Sequence, residues 1–538
     1  EAKMARKNKK FSAKIGTPMV KNSGYSEGGA SHNNKSLKGY NPRKLGYKAD
    51  IGANLSTLRD RSADLAINTP VGTAAINTST THTVGAGLNV FPRPKFQILG
   101  ISAEEARTWA RNVRAEFDLW AESKDCDIYR KNNLYDMQSI AYQGYLTDGD
   151  SFAVFRRKPT TPDMPYTLRL QLIEGNRVSN PLTNSTYVTG DPTGVEALNP
   201  DNGNRILNGV EIDTDGAIVA YWVSNQVPGE PITSMLTTWA RVEAYGKRTS
   251  IPNVLQISND TRPEQYRGVP YLAPVIETLK QVYRYTNAEL TSAIIKSYFA
   301  LFFTEAVTNS GSLNDMLADN GVDDPTEPVV DVSEYNLGPG TLNALPKGVD
   351  VKSVDASNAQ STFEVFSTQL IKQVGAALNQ PYEVLMKNFN SSYSASRAAM
   401  LQAWEEYKLR RKWFARDFCQ PIYEVWLMEA VANGRIEAPG FFDDPLIRKA
   451  WCNADWFGPT MSILDPVKDM NGSTLRVQNG VSTREREAAE MTGTDLEENI
   501  AQLAFEKQLM EKYGMGLADA VNPSVGSKSE AKGGEEDE

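Results

Sequence analysis

The spacing of apolar residues is helical up to about residue 148, alternates over residues 150–258, and turns helical again from Tyr271. LSTLRDRSADLAINT, beginning at Leu55, predicts a first helix, and Pro70 suits the opening turn of a second. Gly85, Ala86 and Gly87 break that pattern ahead of the strand-like LNVF. Ser102 and Glu105 have capping-box spacing for a longer helix, in which Trp109, Val113, Phe117 and Trp120 recur every three or four residues. Such a stripe is core rather than a cofactor box. In the alternating region SFAVF, YTLRLQLI, GVEIDTDGAIVAYWV and NVLQIS read as strands of a β-rich domain. Asp213-Thr214-Asp215-Gly216 sits between two of these runs as a hairpin turn, because Asp and Gly tolerate positive φ; a metal site is the alternative use of its two aspartates.

From Tyr271 to Phe303 the positions Leu272, Val275, Ile276, Leu279, Val282, Tyr283, Leu290, Ile294, Tyr298 and Phe302 keep helical spacing. Uninterrupted, that run is a strut about 50 Å long. Residues 305–357 are rich in Gly, Pro, Asp and Asn, with short β-like runs, and a second long helix is expected over Ser361 to Leu378. The polar stretch KNFNSSYSAS, from Lys387 to Ser396, then turns abruptly into a third helix with Leu401, Trp404, Tyr407, Phe414, Phe418, Ile422 and Val425 on one face. Pro421 should kink that helix and Gly434 should end it. The polar stretch has two readings: a solvated connector in which Ser394 or Ser396 caps the helix, or a working loop mounted on a rigid rod. A tryptophan-bearing connector and a mostly helical segment follow, to about Met515.

Composition narrows the function. Residues 1–48 are rich in Lys, Asn, Gly and Ser and read as a flexible basic arm; residues 516–538, ending in GGEEDE, read as a disordered acidic tail. No apolar run approaches the roughly 20 residues of a membrane span, and EAKMARKNKKF lacks a signal-peptide core, so a soluble protein is expected. Cys126, Cys419 and Cys452 are too scattered for a disulfide framework or a zinc ribbon. The net charge of −9 argues against a protein that wraps the nucleic-acid backbone with a basic surface.

Catalytic signatures are sparse. His32 and His82 cannot build a histidine metal centre or a credible nucleophile–base pair, and no G-x-x-x-x-G-K-[ST] loop is present to cradle nucleotide phosphates. Asp125 with Asp127, or Asp148 with Asp150, could in principle hold Mg²⁺ for a nuclease, although 66 acidic residues make such pairs common by chance.

Several segments in order are similar to one family, the lambda-type portal proteins of tailed bacteriophages and prophages. They are LRDRSADLAINTPVGTAAINT followed by VGAGL, LQLIEGNRV, NGVEIDTDGAIVAYWV, EQYRGVPYLAPVIETL, SSYSASRAAM, and Trp451, Trp456, Pro459 and Asp465-Pro466-Val467-Lys468. Ile67 stands where the family often has arginine before the asparagine, here Asn68. The resemblance implies an α+β phage portal fold assembled as a dodecameric ring, with no catalytic residue, no cofactor and no membrane partner. It divides the chain into a wing over residues 49–265, a first stem helix over 266–304, a clip over 305–357, a second stem helix over 358–385, and a tunnel loop over 386–397. Residues 398–515 would supply a long kinked helix, the return to the wing and a helical crown. Lys387, Asn388, Asn390, Ser391, Ser392, Tyr393 and Ser394 would face double-stranded DNA in the channel, touching phosphate without reading sequence. The implied partners are terminase, a neck or tail adaptor, and major capsid and scaffold proteins. The implied place is the portal vertex of the virion head, with assembly in the host cytoplasm. The alternatives are a Mg²⁺-dependent nuclease using Asp148 and Asp150, and another virion protein of the neck or shell.

Overall fold

The computed structural model describes residues 35–181, 194–228, 237–297, 301–303, 342–344, 359–389, 392–461, 466–494 and 496–513. Helices α1 (Leu55–Asn68) and α2 (Pro70–Thr83) form the expected pair, with Pro70 at the start of the second, where its missing N–H costs nothing. Strand β1 (Asn89–Pro92) follows, then α3 (Ala103–Glu122). The Ser102 hydroxyl accepts from Glu105 N at 3.1 Å and the Glu105 carboxylate accepts from Ser102 N at 2.8 Å, completing the capping box. Val113, Phe117 and Trp120 of its stripe are buried, while Trp109 lies at the edge of the core against Trp451. Helix α4 (Leu134–Asp148) delivers the chain into the sheets.

Strands β2 (Asp150–Arg157) and β3 (Leu168–Glu174) pair antiparallel; β4 (Glu196–Leu198), β5 (Arg205–Leu207), β6 (Val210–Ile212), β7 (Ile218–Ser224) and β8 (Trp239–Glu243) form a five-stranded antiparallel sheet in chain order. Strand β9 (Val254–Ser258) returns to the far edge of β2, giving a three-stranded sheet in the order β3-β2-β9. Residue alternation sorts its two faces. Ala153, Leu168, Leu170, Leu255 and Ile257 join the main core with the helices, while Phe152, Val154, Ile173 and Val254 join a second core with Val210, Ile212, Tyr221 and Val223 of the other sheet. The layers are therefore helices, three-stranded sheet, five-stranded sheet, an α+β fold. The Asp213 to Gly216 segment is a hairpin turn between β6 and β7: the Asp213 carboxylate accepts from Asp215 N at 2.9 Å and Ala217 N at 2.8 Å, and Gly216 has φ +88°.

Helix α5 (Ile276–Ser297) spans about 33 Å, shorter than the sequence spacing suggests. Ala273–Val275, containing Pro274, forms a 3-10 turn before it, and the aromatic run Leu301–Phe303 beyond it is strand β10 rather than helix. β10 finds a parallel partner in β11 (Leu342–Ala344). Helix α6 (Ala359–Ala377) packs along α5 through Tyr285 against Phe363 and Phe366. The rest of the segment read as a clip lies outside the described residues, as do residues 1–34 of the arm and the whole acidic tail. The arm reading runs too far along the chain: Tyr47, in the short helix Tyr47–Asp50, is buried in the second core and bonds to Asn208 at 3.1 Å. One aromatic side chain outweighs its polar neighbours.

The third long helix comprises α7 (Tyr393–Phe414), a π turn at Ala415–Cys419, and α8 (Gln420–Ala432). Pro421 lacks an N–H and its ring crowds the carbonyl one turn back; the wider turn absorbs both, so the rod continues. It ends before Gly434, at φ +69°. Helix α9 (Pro445–Trp451) leads to strand β12 (Ala454–Phe457), which pairs antiparallel with β1, and then come α10 (Pro466–Gln478), α11 (Arg484–Thr492) and α12 (Leu496–Lys512).

Candidate nucleic-acid interface

The polar stretch begins where the chain leaves α6. Pro381 opens the short helix Tyr382–Leu385, which buries Val384 and Leu385 and so fixes the near end of the loop. Asn388 N donates to Glu383 O at 3.0 Å, and Lys387 takes φ +53°, leaving its side chain exposed beside exposed Met386 and Phe389. Asn390 and Ser391 lie outside the described residues. The far end is closed by Ser392, whose side-chain oxygen accepts from Ala395 N at 3.4 Å while its carbonyl accepts from Ser396 N at 3.0 Å. Ser392 is therefore the N-cap, not Ser394 or Ser396; Tyr393 and Ser394 are already the first residues of α7. The three serines alternate, so each had the same local claim to the cap. Of the seven residues expected to face DNA, Lys387 and Asn388 lie in the loop, Ser392 closes it, and Tyr393 and Ser394 open the helix that bears it.

What holds the loop is an aromatic and cationic brace. The imidazole of His82, from the end of α2, stacks on Tyr407 with ring centroids 5.1 Å apart and meets Trp404 edge-on at 6.3 Å. Burial depresses its pKa, helped by Arg411 and Lys387, which favours the neutral imidazole. Arg411 lies 5.4 Å from the Trp404 ring centroid and donates to Thr83 O at 3.0 Å and His82 O at 2.9 Å, tying α7 to the end of α2. The preceding residue, Arg410, sits 4.6 Å over the Tyr271 ring, the Tyr271 hydroxyl donates to Leu378 O, and Gln380 Nε2 donates to Ala75 O at 2.9 Å. The base of α5, the end of α6 and the loop-bearing α7 thus meet at one joint.

The stripe read along α7 needs correction. Leu401 is exposed and Trp404 only half-buried, because the first half of the helix packs on the small cluster of Val384, Ala403 and Tyr407; the main core begins at Phe414. Phe414→Ala should accordingly lower the stability of the chain by about 3–5 kcal/mol. Trp404→Ala should cost about 1–2 kcal/mol, the scale of one aromatic and one cation–π contact. Chemical denaturation of both variants checks the order; equal losses would place Trp404 in the main core.

The carboxylate pairs have structural duties. Asp127 is buried and accepts from Tyr129, Lys131 and Asn132 N, while Asp125 pairs with Arg130 at 2.7 Å. Asp150 is buried between two arginines: Arg59 Nη2 reaches Oδ1 at 2.7 Å, Arg267 Nε reaches Oδ2 at 2.6 Å and its Nη2 reaches Oδ1 at 2.9 Å, and Gly268 N adds 3.1 Å. Burial alone pushes the Asp150 carboxyl up, but Arg267, then Arg59, and these hydrogen bonds outweigh it and hold it low. Burial pushes Asp148 up to about 6 and Arg59 down to about 10. Gly149 and Gly268 pass back to back beside this node: a Cβ on Gly268 would stand 1.8 Å from Gly149 O. Among the described residues no group of three His, Cys, Asp or Glu is arranged to hold a metal ion, and the three thiols are buried with pKa values raised by burial. The node was missed in the sequence even though Arg59 and Arg267 stand in two of the segments that resemble the portal family; the arginines themselves were the available signal.

A layered α+β chain whose buried acids serve its own packing, and whose long helices converge on a held polar loop, has the make-up of a structural protein. A family model described as phage portal protein, lambda family, matches residues 33–411, and the chain belongs to that family. Portal protein B of Escherichia phage lambda is 27% identical over 516 residues, covering 93% of this chain and 92% of that protein. The portal protein of Escherichia phage N15 is 28% identical over 529 residues, with the same coverage of both. A chain in the neck of a native gene transfer agent particle, determined with C12 symmetry, aligns with a TM-score of 0.36 and 11% identity over 81% of this chain and 92% of that one, too loosely to carry an argument. No helix among the described residues is long and apolar enough to cross a membrane.

Proposed function

We propose that copies of this chain, by family resemblance twelve, form the ring at one vertex of a phage head through which double-stranded DNA is packaged and later ejected. The family match over residues 33–411 carries this reading. In it α5 and α6 are the stem, the segment between them the clip that receives terminase and afterwards a neck or tail adaptor, and the loop from Lys387 to Ser394 faces the channel. Capsid and scaffold proteins would meet the ring during assembly in the host cytoplasm.

Physical arguments support the same assignment. Duplex that must slide both ways should not be gripped; a dozen subunits carry roughly −100 formal charge, which repels the phosphates from the wall. Lys387 and the positive end of the 22-residue helix α7 then offer weak, sequence-independent contacts that centre the duplex. A nuclease built on Asp148 and Asp150 is disfavoured because both Asp150 oxygens are taken by arginines. Mass measurement and a negative-stain image of purified protein test the proposal. The expected result is a closed ring with a central hole; a chain that stays monomeric even when shell and scaffold proteins are supplied would overturn it.

A further inference from the structure

A groove of about 950 Å³ lies along α3. Part of its lining is apolar: Phe91 and Pro92 of β1, Phe96 of the short helix Phe96–Leu99, and Ala106. On α3 itself Ala103, Arg107, Ala110, Arg111, Arg114 and Asp118 share one face. The arginine stems cross apolar surface here, as Arg114 does 4.3 Å from the Phe91 ring centroid. First-turn glutamates complete the lining, Glu485 from α11 and Glu497 and Glu498 from α12. The charges do not balance. Each acid in the lining has an arginine: Glu485 meets Arg93 at 3.0 Å, Glu497 meets Arg111 at 3.7 Å, and Arg114 takes Asp118 at 3.7 Å and Glu498 at 3.6 Å. Lys95 and Arg107 make neither an ion pair nor a side-chain hydrogen bond among the described residues, so the unspent charge is wholly positive. The two contacts from α12 are too long for hydrogen bonds, and exposed pairs of this kind contribute little and are screened by salt. Helix α12 also contains no buried residue.

We propose that this groove docks an acidic peptide segment of a partner protein, and that the first turn of α12 is a built-in competitor for it. Charge complementarity chooses the occupant. Glu497 and Glu498 show that carboxylates borne on a polypeptide reach the arginine face of α3, and Arg107 stands one turn before Arg111, past the pair that α12 supplies. An incoming segment can set carboxylates on Lys95 and Arg107, then take Arg111 and Arg114 from α12, with apolar side chains on Phe91 and Phe96. A nucleic-acid strand fits less well, because it would bring a phosphate at every step against Glu485, Glu497 and Glu498. Docking here needs no ring, since every residue named belongs to one copy. Occupancy would release the first turn of α12, which turns a loosely held helix into a signal that the groove is filled.

The test uses the full chain and a short fluorescein-labelled peptide of glutamates and leucines, followed by fluorescence anisotropy at low salt. Its counterpart with lysine in place of glutamate and a short labelled oligothymidylate are the comparison probes. The wild-type chain should bind the acidic peptide and not the basic one. Glu497→Gln combined with Glu498→Gln should tighten binding about tenfold, as expected when a competitor that holds the site about nine-tenths of the time is removed. Lys95→Glu combined with Arg107→Glu, both at exposed positions, should weaken it about tenfold or more at an unchanged thermal midpoint. No binding of the acidic peptide by either the wild type or the double glutamine variant would overturn the docking site. Equal affinities of those two proteins would overturn the competitor role of α12. Oligothymidylate binding as tightly as the peptide, and lost in the Lys95→Glu, Arg107→Glu variant, would make the groove a phosphate site instead. None of these readouts depends on assembly, so each outcome leaves the ring reading as it was.

Discussion

Asp150→Ala should destabilise the chain by about 3–5 kcal/mol, because it leaves two buried guanidinium groups facing each other without a counter-charge. Asp150 and Arg267 are fully buried and Arg59 is 4% exposed, so water cannot take over the lost role. The consequence reaches beyond the pair. Arg59 also donates to the Asp148 carbonyl at 2.7 Å, and Arg267 donates to Val178 O and Gly175 O at 2.6 Å each, so the node joins α1, the start of β2 and the segment before α5. Asp150→Asn should be almost as damaging, since the shape survives and the charge does not. The sign of the pH dependence follows from the depressed carboxyl of Asp150 in the folded chain. Its stabilisation is present above the ordinary aspartate value of about 4 and is lost as pH falls through the lower folded value. Denaturation midpoints of wild type and Asp150→Asn should therefore converge in acid and diverge at neutral pH. A loss below about 1 kcal/mol for Asp150→Ala at pH 7 would show that the arginines find other partners, against what a buried pair implies.

The loop should behave in the opposite way. Asn390→Ala with Ser391→Ala is expected to leave ring mass and thermal midpoint unchanged while lowering the yield of DNA-filled heads. The change is repeated in every subunit, so a loss of only about 1.4 kcal/mol summed over the ring is enough for a tenfold drop. Ser392 belongs in a separate variant, because removing an N-cap costs about 1 kcal/mol in helix stability whatever the loop does. Filled-head yield and ring mass are compared in parallel. Unchanged yield from the double variant would remove Asn390 and Ser391 from the DNA-facing surface; broken rings would make the stretch a subunit contact instead.

Much of the architecture was legible because it is periodic. Alternation placed β2, β3, β6, β7 and β9, and the capping box with its stripe placed α3. What stayed hidden depends on distant partners. Arg59 and Arg267 stand 91 and 117 positions from Asp150, and no local pattern announces that they will share one carboxylate. Spacing puts Trp404 on the same face as Phe414, but spacing cannot tell that the packing partner changes along the rod from a small cluster to the main core. β10 escaped for the same reason: three aromatic-rich residues continue a helical stripe as well as they start a strand, and their partner lies about forty residues on.

That short parallel pair sets a constraint on the chain between α5 and α6. Leu301 and Leu342 stand side by side and the two strands run in the same direction, so the chain that leaves after Phe303 must come back to the opposite end of the pair before Leu342. Doubling the length of a flexible closed excursion costs only about 0.6 kcal/mol. A change in the number of residues between Phe303 and Leu342 is therefore cheap for the fold, because the strand pair and the contact of α5 with α6 persist whatever that number is.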